Sequence, residues 1–562
     1  MTLRELAEDP ARASIAGRRA PRTRRLASLD IAGRFAASSR RSRPERRPPG
    51  ARDDVGWRAL ARPKRPPSGP HPLELPGDAM REMVELAMDR IVRHIESLPE
   101  QPMHATRGGK RVARSLREPL PERGVPYEKL LRKLFGKLIP MSLNTASPGY
   151  MGYIPGGGLF HAAVADLIAD AVNRYVGVFQ AAPLLVQIEA NVIAWFCAML
   201  GLPEGSGGIL TTGGSLANLV AVITARRERL PPDFLRGTLY ASEEAHHSVT
   251  KAALLAGFPP EAVREIPVDG RFRMRVDAAA EAVARDRARG LSPFLLVASA
   301  GTTGTGAIDD LPALAGLAEA ERLWLHVDAA YGGFFALTER GRAAMRGIER
   351  ADSVTLDPHK SLFLPYGTGC LAVRDREALR RAHALSASYM PPMQAEDDLV
   401  DFCAISPELS RDARGLRVWL PLKMHGASVF RAELDEKLTL ARGAAGALRQ
   451  MAHLEVVAEP ELSLLAFRAR PPGVDDGPAL DALNRRLLAR VNAKQRVLLT
   501  GVVAGGRFLL RMCILSFRTH ADRVDAALAD VASSLAEVLG ELRDGPLSPA
   551  REGDQPGGTD DD

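Results

Sequence analysis

Cysteine is scarce in this chain, with four in 562 residues, at Cys197, Cys370, Cys403 and Cys513. They form no C-x-x-C pair and no closely spaced set, which excludes a disulfide-stapled fold and the usual thiolate metal sites. A reducing, cytoplasmic compartment is the matching expectation, with no metal. Aromatic residues make up only 5% of the chain. None is interleaved with a basic helix, so no specific nucleic-acid surface is expected. No apolar run reaches the roughly 18 residues of a membrane span, and the first residues lack the apolar stretch of a secretory signal.

What is present is ordinary globular material, 46% hydrophobic and 25% charged, with a formal net charge of +7. The positive excess collects in "GRRAPRTRRL", "SSRRSRPERRPPG" and "RPKRPPSGP", where Pro, Ser and Arg replace core-forming residues. Residues 1–70 are therefore expected to be a disordered basic arm, and 546–562, ending "GGTDDD", a disordered acidic tail. Helical periodicity begins in "PGDAMREMVELAMDRIVRHIESLPE" and opens a helical docking segment over 71–150. Over 151–385 short apolar strands ("GTLYAS", "FLLVASA", "LWLHVDAA", "DSVTL", "GCLAVR") alternate with helices, the pattern of a mostly parallel sheet covered by helices. The texture then changes, and 386–545 reads as a smaller α+β domain that begins with a polar connection.

Four stretches place polar groups at a strand end or a helix start, where open α/β sheets bind ligands. "GILTTGGSLANL" runs glycines straight into a helix, whose free N–H groups attract an anion. It is neither a G-K-[ST] loop nor a G-x-G-x-x-G. "ASEEAHHSVTKA" puts His246 and His247 at another helix start, pointing in different directions. "LWLHVDAAYGG" closes a buried strand with Asp328, a costly carboxylate unless a cation or donors satisfy it. "DPHKSLFLPYGTG" sets Lys360 after a histidine. Taken singly, each has a structural explanation: a capped helix, a capping histidine, an ion pair, a solvated lysine. One cofactor would use all four, because pyridoxal 5'-phosphate needs an anion cradle, a carboxylate for its pyridine nitrogen, a flat stacking group and a lysine for a Schiff base.

At these residues the chain resembles the group II pyridoxal-phosphate-dependent amino-acid decarboxylases, the family of aromatic-L-amino-acid and glutamate decarboxylases. "HVDAAYGG", "DPHK", "AHHSVTKA" and "GTTGTGAIDDL" carry the resemblance, which covers about residues 75–540. It implies a type I pyridoxal-phosphate fold with a seven-stranded sheet, and an obligate homodimer with shared active sites, into which "PYGTG" would reach from the partner. By that similarity Lys360 would form the Schiff base, Asp328 would pair with the pyridinium nitrogen, and His246 would stack on the ring beside the substrate carboxylate. Gly214 and Ser215 would bind phosphate, assisted by His359, and Thr303 would lie near the ring. The implied reaction turns an L-amino acid into an amine and CO2.

Two departures qualify the resemblance. The family's proton-delivering loop tyrosine is absent: Asp401, followed by Phe402, stands in its place, and Tyr389 serves only if the loop takes another course. Decarboxylation with Asp401 or Lys360 as acid is the leading reading. Aldehyde synthesis, transamination or carbon–carbon lyase chemistry are the same-cofactor alternatives, and a non-catalytic, basic-armed binding protein is the different-class one. Asp357 replaces the family's usual Asn before P-H-K and is left off the phosphate set, since a carboxylate there opposes phosphate. Gly156, Tyr175 and Gly177 replace residues that surround aromatic substrates in relatives, so a catechol or indole substrate is not expected. Arg174 reads as a surface residue in preference to a partner for an acidic substrate.

Overall fold

The computed structural model describes residues 73–106, 108–385, 393, 396 and 398–544. The basic arm, the acidic tail and Tyr389 lie outside the described residues. The chain divides into two units, the first ending at Leu86 and the second beginning at Ala87, and the account below concerns the second.

Seven strands form its main sheet: β1 (Gly207–Thr211), β2 (Gly237–Ser242), β3 (Val263–Ile266), β4 (Ser292–Ser299), β5 (Trp324–Asp328), β6 (Ser353–Leu356) and β7 (Gly369–Val373). Their order is β1-β7-β6-β5-β4-β2-β3. Strands β3, β2, β4, β5 and β6 run parallel, and β7 is antiparallel to both β6 and β1. The fold is thus the expected α/β type, mostly parallel. Its central strands are continuous apolar runs because helices cover both faces. Leu295, Leu296 and Val297 of β4 are at most 1% exposed, and each such side chain stabilises the fold by about 1.5–3 kcal/mol. Edge strand β3, "VREI", has a single fully buried residue, which is why no apolar run announces it.

A second sheet of four antiparallel strands follows, β8 (Leu454–Ala458), β9 (Leu464–Ala469), β10 (Thr500–Ala504) and β11 (Arg507–Cys513), in the order β10-β11-β9-β8. It is the smaller α+β region expected from the change of texture. The helix Gly415–Gln450 leads into it and breaks at Gly426, whose φ of 72° no helix accommodates. Among the described residues no helix is long and apolar enough to cross a membrane.

Candidate active site

The parallel strands point their C-terminal ends the same way, and the segments that follow them converge. After β1 the chain turns at Thr212–Gly213 into the helix Gly214–Arg229; after β2 comes His246, after β4 Gly301–Thr303, after β5 Asp328, and after β6 the stretch Asp357–Lys360. Together they line a cavity of about 290 Å³. Gly214, Ser215, His246, Thr303, Asp328, His359 and Lys360 all lie on its wall, so seven residues spread over 147 positions of sequence meet in one place. His247 is exposed and is not among the residues that line it. Among the described residues no His, Cys, Asp and Glu cluster could hold a metal ion.

On one wall Lys360 Nζ lies 2.9 Å from Asp357 Oδ2, with the lysine side chain 21% exposed and the aspartate 3%. Burial favours loss of the lysine proton, but Asp357 and Asp328 outweigh it and hold the ammonium above its ordinary range. His359 fixes its ring by donating from Nδ1 to the Thr368 carbonyl at 2.6 Å, which leaves Nε2 3.8 Å from Asp357 Oδ2.

Elsewhere on the wall a chain of hydrogen bonds orients Asp328. Its Oδ2 accepts from Asn218 Nδ2 at 3.0 Å and its Oδ1 from the Ala330 N–H at 3.1 Å. Asn218 Oδ1 accepts from Thr355 Oγ1 at 2.6 Å and from His326 Nε2 at 3.1 Å. His326 is neutral because burial drives its pKa down to about 4, against the pull of Asp328. With its proton on Nε2, its Nδ1 accepts from Ser353 Oγ at 2.8 Å, and Ser353 in turn accepts from Trp324 Nε1 at 2.8 Å. Every donor has one acceptor in this chain, so the Asn218 amide has a single consistent orientation.

The same amide donates to Ser248 Oγ at 2.9 Å, and Ser248 lies 2.7 Å from His246 Nδ1. Nδ1 therefore accepts, and the Nε2 of neutral His246 carries the hydrogen. Burial lowers the His246 pKa, opposed by Asp328. Asn218 thus couples the two residues read from the sequence, although sequence reasoning passed over it. The available signal was its position one helical turn after Gly214, on the face turned toward the sheet.

Glycines allow the backbones to close around this cavity. A Cβ on Gly156 would stand 2.0 Å from the His359 carbonyl oxygen, and one on Gly369 would stand 2.5 Å from Gly213 Cα. The close passage of its segment against the lysine-bearing turn thus leaves no room for a side chain at Gly156. Thr303 is held from the other sheet, where buried Arg511 donates to the carbonyls of Thr303 and Gly304. Asp401 does not line the cavity. It is 5% exposed and its Oδ1 accepts from the Phe179 N–H at 2.7 Å, so the acid expected from loop register is engaged in holding a turn.

The residues fit pyridoxal 5'-phosphate. Each Asp328 oxygen accepts one hydrogen bond and keeps a lone pair for a ring N–H. The helix starting at Gly214 offers backbone donors to an anion, and a lysine faces both.

Comparison with known proteins agrees. Residues 110–470 match the model of the pyridoxal-dependent decarboxylase conserved domain. An aromatic-L-amino-acid decarboxylase of Bacillus atrophaeus is 31% identical over 467 residues, which cover 83% of this chain and 97% of the relative. The structure of Oryza sativa TDC with PLP and tryptamine superposes with a TM-score of 0.79 at 28% identity, covering 84% of this chain and 99% of that one. A Rhodiola rosea 4-hydroxyphenylacetaldehyde synthase shares the fold, with a TM-score of 0.76 at 23% identity over 83% of this chain and 99% of that one.

Proposed function

This chain belongs to the pyridoxal-dependent decarboxylases, and from that premise we propose that Lys360 is the amine that holds the cofactor's aldehyde, with Asp328, His246 and the Gly214–Ser215 helix start holding ring, substrate and phosphate. The enzyme is a pyridoxal-phosphate-dependent carboxy-lyase of amino acids, so the non-catalytic reading gives way. When bound, the cofactor supplies an electron sink for the pair left behind by CO2.

The protein's own groups do the rest. Asp328, oriented through Asn218, keeps a negative charge facing the ring nitrogen. Neutral His246 presents its Nε2–H to the substrate carboxylate. Ser215, the first-turn amides and His359 complete the anion seat, and Thr303 borders the ring. The observation that carries this reading is the meeting of Lys360, Asp328 and His246 in one cavity at the strand ends.

The relatives' names point to aromatic L-amino acids, and with Gly156 explained by backbone contact these are the first substrates to test. The expected homodimer is supported by exposed apolar side chains on two successive helices, Leu167, Ile168 and Val172 on Phe160–Val172, Leu184 and Trp195 on Pro183–Met199. Sedimentation of the purified protein checks it. A cytoplasmic location accords with the four free cysteines.

The second reading, aldehyde synthesis, is favoured by one observation, the engagement of Asp401 with Phe179. Purified protein supplied with pyridoxal 5'-phosphate should show a visible cofactor band that Lys360→Ala abolishes. Incubation with aromatic L-amino acids should release CO2 and amine without oxygen uptake. Aldehyde and oxygen consumption would assign the second reading, and a band that survives in Lys360→Ala would remove the role given to the lysine.

A further inference from the structure

Asp357 is not explained by cofactor holding. It directly precedes the short helix Pro358–Ser361, where an aspartate ordinarily caps, yet its side chain makes no capping hydrogen bond. Instead Oδ2 meets Lys360 Nζ at 2.9 Å, while Oδ1 is buried without a hydrogen-bond partner among the described residues. The Nζ–Oδ2 separation is a hydrogen-bond distance, along which a proton can pass directly between nitrogen and oxygen.

We propose that Asp357 is the proton partner of Lys360, a positioning residue that keeps the amine charged in the cofactor-free enzyme and takes its proton when the amine must be neutral. The inference rests on Lys360 being the cofactor-holding amine. In the exchange one Lys360 N–H bond breaks with its electron pair staying on nitrogen, and an O–H bond forms on Asp357. The pair is neutral overall before and after, so no net charge is created in a poorly solvated place. The reverse transfer restores the ammonium, and with it an acid inside the cavity, which Asp401 does not provide.

Other charged or titratable groups face the pair from every side. His359 approaches from the same turn, Asp328 from the end of β5, His246 from the segment after β2, Tyr366 from the following turn, and Cys370 and Cys513 from β7 and β11. Of these, only Asp357 makes an ion pair with Lys360, and it is therefore the residue whose removal should move the lysine's titration most.

The test is pulse acetylation of cofactor-free protein with acetic anhydride across a pH series, read residue by residue by mass spectrometry, with exposed Lys251 as internal reference. In the unaltered chain Lys360 should become reactive at higher pH than Lys251. In Asp357→Asn burial is opposed chiefly by Asp328, with a smaller contribution from Cys513, and the Lys360 midpoint should fall by at least about one pH unit, a tenfold gain in labelling at fixed pH. An unaltered Lys360 midpoint at or below that of Lys251 overturns the proposal without recourse to a variant. So does an unchanged midpoint in Asp357→Asn. A visible cofactor band that persists in Lys360→Ala would overturn the underlying role of Lys360 as well. A band that depends on Lys360, with an unmoved midpoint, overturns the role of Asp357 alone.

Discussion

Arg411 and Lys360 each meet a carboxylate inside the protein, Arg411 with Glu189 at 2.5 Å and Lys360 with Asp357 at 2.9 Å. Among the described residues both pairs leave atoms without hydrogen-bond partners: Arg411 Nε and Glu189 Oε2 in one, Asp357 Oδ1 in the other. They differ in what surrounds them. Arg411 is fully buried, and its guanidinium also reaches Glu408, the Leu210 carbonyl and the face of Phe402. A rigid, permanently charged fork wedged among such groups ties the segment after Asp401 to the helix Pro183–Met199, and the guanidinium does not give up its proton. Lys360 is a single amine on a flexible stem at the edge of a cavity. An ion pair sealed by protein therefore organises the chain, whereas one that opens on a cavity can exchange its proton.

The sharpest way to break this contrast is to remove one member of each pair. Lys360→Ala should cost on the order of 10^3-fold or more in turnover and less stability than the loss of Arg411, since the Asp357 it leaves unpaired borders the cavity. Arg411→Met should do the reverse. It strands Glu189 in the core, for which about 3–5 kcal/mol of stability is expected to be lost. Adding Glu189→Leu should recover most of that loss. Denaturant midpoints measured beside turnover decide the matter, and a stable Arg411→Met would show that its pair is not organising the fold.

Asn218 sharpens the contrast at intermediate size, because it is buried like Arg411 yet acts on the cavity. Asn218→Ala removes a donor from Asp328 and leaves His326 Nε2 with only the Thr355 hydroxyl, which lies 3.3 Å away. Leaving buried polar groups short of partners costs about 1–3 kcal/mol. If that cost falls on cofactor holding, the dissociation constant for pyridoxal 5'-phosphate rises roughly 5- to 150-fold. An unchanged constant, by titration of the visible band, would confine Asn218 to a packing role.

How far these residues were readable from the sequence follows from what each signal depends on. Strand runs such as "FLLVASA" and the polar residues ending them were legible because a parallel sheet buried on both faces forces continuous apolar runs. Lys360, Asp328 and His246 stood out as polar residues at strand ends, and the family resemblance supplied their roles. Asn218 was hidden because a polar residue inside a helix is unremarkable until its neighbours on β5 and β6 are known. Asp401 misled because register places a residue along the chain but does not say which backbone N–H it will meet. The contact at Gly156 was hidden for the matching reason: the obstacle to a side chain there is the His359 carbonyl, 203 positions away.

The smallest effect separates the sealed groups from the cavity by pH alone. His326 and His383 are both driven down to about 4 by burial, with Arg227 adding to the effect at His383. An unfolded histidine titrates near 6.5, so between about 6.5 and 4 the unfolded state binds the extra proton and stability falls as pH falls. The slope reaches up to about 1.4 kcal/mol per pH unit for each histidine. Asp309 works in the opposite sense, because burial raises its pKa from 3.8 to about 6 and the folded state binds its proton first over that window. Below about pH 6 it should offset one histidine's share. Asp309→Asn should consequently steepen the loss of stability between about pH 6 and 4 while leaving the acetylation profile of Lys360 in place. Parallel slopes for the two proteins would show that Asp309 titrates normally, and a shifted Lys360 profile would show that the sealed core and the cavity exchange protons after all.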